Sequence, residues 1–378
     1  MNPKYHVLIF LNTAWNLYNF RSGLIAALIN SGYNVIAVAP KDKYVEHVRS
    51  LGCQFVPIIM DNHGLNPFRD FFLFIRFYLL LRRIKPAVFL GYTVKPNIYG
   101  SIAAHLLGIP VVNNIAGLGF VFMKEGWIAR IVKLLYWLAL YRSKRVFFQN
   151  EDDRKLFIDW GLVNSKITHR LPGSGINLNK FSQISMPIDN VSVRFLLISR
   201  MLWDKGIGEY VEAAKILKSR AVKAEFYLLG FLDLENASAI SRDQMNLWVK
   251  SGFVNYLGET DDVRPHIASA NCIVLPSFYR EGVPRTLLEA GAIGRPIITT
   301  NTVGCRELVD EGQNGYLCKA RDSYDLAEKM EWFVALSPRQ QAEMGGLSRK
   351  KIERTFDEKI VINDYLDAIA DIANTSDV

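Results

Sequence analysis

The chain reads as an α/β protein made of two doubly wound domains. Three observations predict this. Its 378 residues are about twice the usual size of one domain. Short, nearly continuous apolar runs alternate with longer helical patterns from end to end, as parallel strands do when helices cover both faces of their sheet. The alternation stops at Pro172-Gly173-Ser174-Gly175-Ile176-Asn177 and the polar stretch 183–190, then starts afresh.

In the front half the strand runs are 6–11, 34–39, 54–59, 87–90, 110–114 and 145–149, with helical patterns at 23–30, 68–83, 95–107 and 127–142. In the back half the strands fall at 193–198, 225–229, 254–256, 272–275 and 296–299, and the helices at 208–219, 263–268, 284–292 and 323–336. The expected division is 1–182 and 191–358, both Rossmann-like, with a C-terminal helix over 359–378 packing back on the first domain. Two such sheets facing each other leave a deep cleft at their carboxyl ends, where ligands of doubly wound sheets bind.

Half of the residues are hydrophobic and there is no repeat or low-complexity tract, so the chain is neither fibrous nor disordered. Cys53, Cys272, Cys305 and Cys318 form no C-x-x-C pair, which argues against a zinc site or a disulfide scaffold. Met1-Asn2-Pro3-Lys4-Tyr5-His6 runs into the first strand without the layout of a signal peptide, so a cytoplasmic protein is expected. The most apolar segment, 71–81, is interrupted by Arg76 and too short to span a bilayer, so any membrane contact is expected to be peripheral. The net charge of +8 is uneven: residues 1–185 carry +13 and residues 186–378 carry −5. A basic front half suits an anionic partner, lipid or nucleic acid, or else is a solvated surface.

The most informative segment is Arg280-Glu281-Gly282-Val283-Pro284-Arg285-Thr286-Leu287-Leu288-Glu289-Ala290. It follows the apolar strand 272–275, and a turn with Gly before a Pro describes a helix N-terminus aimed at a ligand. Gly282 lets the backbone come close, and the amides of Val283, Arg285 and Thr286 can receive hydroxyl or phosphate oxygens. Glu281 and Glu289, on either side of the helix start, can hold two parts of one extended ligand. The plain alternative is a capped helix with two solvated glutamates. Arg200 ends the strand 193–198 and Lys205 lies in the loop after it, so both can point at a pyrophosphate.

The frame E-G-x-P-x-x-x-x-E-A, read here at Glu281, Gly282, Pro284, Glu289 and Ala290, resembles the signature of the family 4 retaining glycosyltransferases of GT-B fold. The resemblance implies that Glu281 faces the donor sugar, Glu289 binds the ribose hydroxyls, and the amides between them hold sugar and phosphate. Leu196 to Gly206 resembles the family segment whose Arg and Lys bind the diphosphate. Tyr256-Leu257-Gly258-Glu259-Thr260 and Thr302-Val303-Gly304-Cys305-Arg306-Glu307 resemble family segments too, and the loop with Gly173 and Ser174 resembles the one along which the donor lies. The front half is similar to a narrower group, the bacterial transferases that extend polyprenyl-diphosphate-linked sugars for O-antigen, capsule or N-glycan precursors. Its matching segments are Asn12 with Asn19-Phe20-Arg21, Tyr92-Thr93-Val94-Lys95-Pro96-Asn97 and Gly117-Leu118-Gly119-Phe120. This implies acceptor-side roles for Asn12, Arg21, Thr93, Lys95, Gly117 and Gly119, a UDP-sugar donor carrying GalNAc, GlcNAc or Gal, and a lipid-linked sugar acceptor.

Two features depart from the family pattern. The first loop reads Asn12-Thr13-Ala14-Trp15-Asn16 where many members carry Gly-Gly, and Asn113-Asn114-Ile115-Ala116-Gly117 lacks the His that many carry there. His6, His63 and His105 fall in a strand, a loop and a helix and are not expected to act as bases. With no front-half base, the expected chemistry is a front-face displacement in which the departing phosphate takes the acceptor proton, with Glu281 positioning the sugar. A covalent carboxylate intermediate is the other route to retention. No Asp-x-Asp occurs, so no metal cofactor is expected, and Arg200, Lys205 and helix amides would carry the electrostatic work.

Arg69, Arg76 and Arg83 recur every seven residues on one helix face beside Phe68, Phe71, Phe72, Phe74 and Tyr78, while Arg130, Lys133, Trp137, Tyr141 and Lys144 share another face. Basic residues beside large aromatics suit a helix lying in anionic headgroups, the alternative being an aromatic stripe turned to the core. Other readings stay open: a nucleotide-sugar epimerase of the same architecture and, more remotely, a nucleic-acid-binding protein, for which no module signature is present. A dinucleotide-dependent oxidoreductase is disfavoured because no G-x-G-x-x-G follows the first strand.

Overall fold

The computed structural model describes residues 6–376 apart from 62–65, 118–125, 188–191, 233 and 235. Two compact units emerge, Met1–Ser174 with Glu358–Val378, and Gly175–Asp357.

The first unit runs β1 (His6–Phe10), α1 (Ala14–Asn30), β2 (Asn34–Ala39), α2 (Val45–Arg49), β3 (Gln54–Pro57), α3 (Pro67–Ile84) and β4 (Val88–Tyr92). One π-helical turn (Pro96–Gly100) then leads into α4 (Ser101–Leu106), β5 (Val111–Ile115), α5 (Trp127–Leu140), β6 (Arg145–Phe148), α6 (Glu151–Asp159) and β7 (Thr168–Arg170). Among the described residues the strands order as β3-β2-β1-β4-β5-β6-β7, all parallel. The order reverses between β1 and β4, the place where doubly wound sheets take ligands. Every residue of β4 is buried, as a central strand covered on both faces requires.

The second unit runs β8 (Val193–Ile198), α7 (Ile207–Ser219), β9 (Ala224–Leu229), α8 (Arg242–Lys250), β10 (Asn255–Tyr256), α9 (Arg264–Ser269) and β11 (Cys272–Leu275). It continues through α10 (Arg285–Ile293), β12 (Ile297–Thr300), β13 (Gly315–Cys318), α11 (Ser323–Ala335) and α12 (Pro338–Thr355). Its strands order as β10-β9-β8-β11-β12-β13, all parallel, with the reversal between β8 and β11. The last helix, α13 (Glu358–Ser376), belongs to the first unit, where Val361, Tyr365, Ala368, Ile369 and Ile372 enter the core under β1 and β4.

Several elements were not foreseen. α1 starts at Ala14, nine residues before the apolar periodicity, because the Thr13 hydroxyl accepts the Asn16 amide at 3.0 Å and caps it. The edge strands β7 and β13 are short, and Thr168-His169-Arg170 has no apolar run to signal β7. α6, α8 and α12 carry readable caps at Asn150, Ser241 and Ser337, the last in a full capping box with Gln340.

The unit boundary falls at 174/175 and not across the polar stretch 183–190. That stretch, as far as Pro187, is fastened to the second unit; residues 188–190 lie outside the described residues. The fastening comes from Arg295, whose fully buried guanidinium donates to the carbonyl oxygens of Ile184 (2.8 Å), Ser185 (3.1 Å), Ile267 (3.1 Å) and Ala268 (2.7 Å). Burial pushes its pKa down to about 10. Replacing Arg295 with Met orphans these carbonyls and is expected to lower unfolding stability by about 3 kcal/mol. A urea-midpoint change worth less than about 1 kcal/mol would contradict this role.

Candidate functional site

In the second unit, β8 and β11 are neighbours at the point where the strand order reverses, and the loops that follow them come together. The first loop passes Arg200 and a 3₁₀ turn (Trp203–Lys205) to Gly206, whose left-handed conformation (φ 78°) starts α7. The second passes Ser277, Tyr279 and Glu281 to Pro284, the N-cap of α10. The Asp204 carbonyl accepts the amides of Phe278 and Tyr279, each at 3.1 Å, which locks one loop to the other.

The lock pairs Lys205 with Glu281. The ammonium touches carboxylate Oε1, the Ser277 hydroxyl donates to the same oxygen at 3.1 Å, and both charged side chains are only 13% exposed. The Lys205 ammonium also lies 4.9 Å from the centre of the Tyr279 ring. Burial raises the Tyr279 pKa, Glu281 adds to the rise, and Arg200 opposes it. Thr302 braces the same loop, its hydroxyl donating to the Ser277 carbonyl at 3.2 Å.

Asp204 was overlooked in the sequence. It is 4% exposed, and its Oδ1 has no hydrogen-bond partner among the described residues. Burial raises its carboxyl pKa, while the Lys205 and Arg200 charges pull it back. The cluster is therefore two cations and two carboxylates packed where strand ends converge; their charges cancel, and the two cations are of the kind that bind phosphate oxygens.

Glu289 sits one turn into α10. Arg285 donates to its Oε1 at 3.2 Å and to the Gly175 carbonyl at 2.5 Å. Burial raises the Glu289 pKa, and Arg285 and Lys180 counter it. Lys180 is a second residue that sequence reasoning passed over; burial and the neighbouring Arg285 and Arg264 lower its pKa. Gly282, Val283 and Pro284 are buried and Thr286 is half-buried in the approach to the helix. Gly258 follows β10 at φ 77°, its carbonyl accepting the Gly230 amide at 2.7 Å. Gly173 and Ser174 belong to the first unit.

In the first unit Asn12, Arg21, Thr93 and Lys95 lie on the segments that follow β1 and β4, where the strand order reverses. Asn12 accepts from Asn16 at 2.6 Å. Arg21 is buried, with its guanidinium 4.4 Å above the Tyr92 ring. Thr93 takes a left-handed conformation at φ 60°. Lys95, expected on the acceptor side, is paired: its ammonium is 2.7 Å from Asp70 of α3, both side chains nearly enclosed, and the Tyr99 hydroxyl donates to the same carboxylate at 3.0 Å. The lysine therefore ties the β4 loop to α3. Gly117 closes the described part of the loop after β5, and Gly119 lies outside the described residues, as does His63. His6 lies in β1, and His105 on α4 shares a hydrogen bond with the Ala139 carbonyl at 2.8 Å.

On α3, Phe68, Phe71 and Phe72 are exposed, Phe68 by 79%. Arg69 pairs with Asp61 at 3.0 Å, Arg76 donates to the Ile59 carbonyl at 3.0 Å, and Arg83 is exposed. On α5, Trp127, Ile131, Leu134 and Trp137 are exposed beside Arg130, as is Tyr141 at its C-cap. Lys133 leaves the expected basic face, its ammonium lying 3.7 Å over the Trp160 ring. Among the described residues no helix is long and apolar enough to cross a membrane.

Two family models match the chain, one described as glycosyl transferase 4-like over residues 6–150 and one described as glycosyl transferases group 1 over residues 192–335. The chain belongs to this family of glycosyltransferases, and its fold is the GT-B fold of two Rossmann-like units expected from the sequence. It is 30% identical to the N,N'-diacetylbacillosaminyl-diphospho-undecaprenol alpha-1,3-N-acetylgalactosaminyltransferase of Campylobacter jejuni, over 93% of this chain and 94% of that protein. It is 28% identical to the UDP-Gal:alpha-D-GlcNAc-diphosphoundecaprenol alpha-1,3-galactosyltransferase of Escherichia coli, over 71% of each. Similar solved structures include a glycosyltransferase of Rickettsia africae (TM-score 0.76, 15% identity, 98% of this chain and 99% of that one). Another is Anabaena HepE in complex with UDP and glucose (TM-score 0.78, 16% identity, 97% and 100%).

Proposed function

We propose that this glycosyltransferase moves GalNAc, GlcNAc or Gal from a UDP-sugar to a polyprenyl-diphosphate-linked sugar, with retention, in bacterial surface polysaccharide or glycan precursor synthesis. The observation that carries the reading is the enclosed Lys205–Glu281 pair beside Arg200 and Asp204. Lys205 leaves Glu281 for the incoming diphosphate, and Arg200 joins it there. Glu281, relieved of its cation, orients hydroxyls of the donor sugar. Glu289 takes the ribose hydroxyls, and the backbone from Gly282 to Thr286 lines the phosphates, with Gly258, Gly173 and Ser174 along the donor. The leaving phosphate then accepts the acceptor proton. Cationic side chains supply the charge balance, so EDTA leaves turnover unchanged in this reading.

The test is nucleotide release from a panel of UDP- and GDP-sugars, with and without the undecaprenyl-diphosphate-linked acceptors of the two relatives. Release of UDP that depends on the lipid-linked acceptor is expected; turnover of donor alone to an epimer would replace the reading. None of the relatives named above is an epimerase or a nucleic-acid-binding protein. A glycosyl adduct trapped on Glu281 would replace the front-face mechanism with a covalent one.

The membrane is the second part of the proposal, at the inner face of the cytoplasmic membrane. Exposed Phe68, Phe71, Phe72, Trp127 and Trp137 flanked by Arg69, Arg76, Arg83 and Arg130 suit an anionic headgroup layer. Sedimentation with vesicles containing anionic lipid at low salt is expected to carry the protein down, and Phe71→Ser with Phe72→Ser to release it. A protein that stays in the supernatant with anionic vesicles does not lie on the membrane in this way.

A further inference from the structure

We propose that the strand-order reversal of the first unit is a phosphate site, in which the buried guanidinium of Arg21, seated on the Tyr92 ring, takes a phosphate of the diphosphate-linked acceptor. This rests on the acceptor reading above and adds to it the group that is recognised and the residues that do it.

Arg21 points from α1 to Tyr92, the last residue of β4, so it stands where the sheet order turns from β1 to β4. It is 5% exposed. Its Nε is buried with no hydrogen-bond partner, and among the described residues no carboxylate pairs with it. An enclosed guanidinium without a counter-charge is costly, and a tyrosine face recovers only part of that cost. An arginine kept there for packing alone would be better replaced by an apolar residue.

The groups around it leave one further donor. The Tyr92 hydroxyl is buried and directs its proton toward the Tyr365 hydroxyl oxygen. The Tyr365 hydroxyl, brought in by α13, accepts from Asn114 Nδ2 at 2.9 Å and keeps its own proton to give. Burial raises both tyrosine pKas, so both hydroxyls remain protonated at neutral pH. A planar guanidinium and the Tyr365 hydroxyl proton, with no acid to receive them, are the chemistry of an anion site, and Arg geometry suits a phosphate. The next residue, Thr93, holds a left-handed conformation that a β-branched side chain rarely adopts. Strain of this kind persists at ligand sites, where the surroundings enforce it.

The experiment compares the full chain with Arg21→Gln and Arg21→Lys on two acceptors of the same sugar, one linked through diphosphate to undecaprenol and one a phosphate-free alkyl glycoside. Arg21→Gln is expected to raise KM for the diphosphate acceptor by about tenfold to a hundredfold and to leave KM for the glycoside and for the donor unchanged. Arg21→Lys keeps the charge without the fork and falls between, so it carries the test if the Gln variant does not fold. Equal losses on both acceptors, or no loss on either, overturn the proposal. In a second arm, inorganic diphosphate is titrated by calorimetry onto Lys205→Ala, which weakens the donor-side cation cluster, and onto Lys205→Ala with Arg21→Gln. Binding that disappears with Arg21 supports the site even if no lipid-linked acceptor is ever turned over, which separates its failure from that of the proposed function. Diphosphate binding that ignores Arg21 overturns it. Arg21-dependent binding with an unchanged KM for a lipid-linked acceptor that is turned over assigns the site to free phosphate and overturns its role in acceptor recognition.

Discussion

Lys205→Ala is expected to lower kcat/KM for the donor by about a hundredfold to a thousandfold, the range seen when one electrostatic partner of a transition state is removed. Two effects add. The alanine removes a cation from the developing diphosphate, and it leaves Glu281, only 13% exposed, without the ammonium that balances it. An uncompensated carboxylate at that place repels the incoming phosphates. Glu281→Gln removes the sugar-orienting carboxylate but keeps the cation, so its loss is expected in kcat more than in donor KM. Because the two side chains touch, Lys205→Ala combined with Glu281→Gln should cost less than the two single losses multiplied together. Steady-state UDP release across the four proteins measures this. A Lys205→Ala enzyme within about fivefold of the parent, or single losses that multiply without coupling, would remove the pair from the reaction.

Gly304→Ala is the second large effect. A Cβ on Gly304 would stand 1.9 Å from the Gly282 carbonyl oxygen and 2.7 Å from that of Glu281. The backbone there is left-handed, at φ 82°. Neither neighbour is a flexible side-chain end, so the loop carrying Glu281 must shift or the unit must loosen, at about 3 kcal/mol or more. Gly312→Ala separates this from conformational strain alone. It has a similar φ of 73°, but nothing lies within 4 Å of its added Cβ, so about 1 kcal/mol is expected. Thermal unfolding and donor KM for both variants decide the matter. Equal effects at the two glycines would show that the Gly282 contact carries no special weight.

Of the two candidate sites, that of the second unit was the more legible. Glu281 and Glu289 sit in one local frame across a helix start, and Arg200 and Lys205 lie within six residues of each other after a clear strand, so spacing alone put each pair on one segment. Their immediate supports were not legible. Asp204 lies beside Lys205 in the chain, but nothing local shows that its carbonyl ties down Phe278 and Tyr279. The first unit was less legible. Lys95 is paired with Asp70 of α3, 25 residues away, a separation at which no local spacing shows the contact. The role of Tyr365 depends on Asn114, 251 residues earlier.

Residue order alone specified the two doubly wound sheets, the family frame around Glu281, and the aromatic, basic character of α3 and α5. Each of these rests on periodicity or spacing within a few dozen residues, a range over which backbone geometry dictates which side chains share a face. Long-range packing specified the rest: that Lys205 meets Glu281, that Arg295 holds residues 184–185 on the second unit, and that α13 returns to set Tyr365 beside Tyr92. Those outcomes depend on which strand ends lie side by side, and strand order belongs to the assembled sheet and not to any one of its segments.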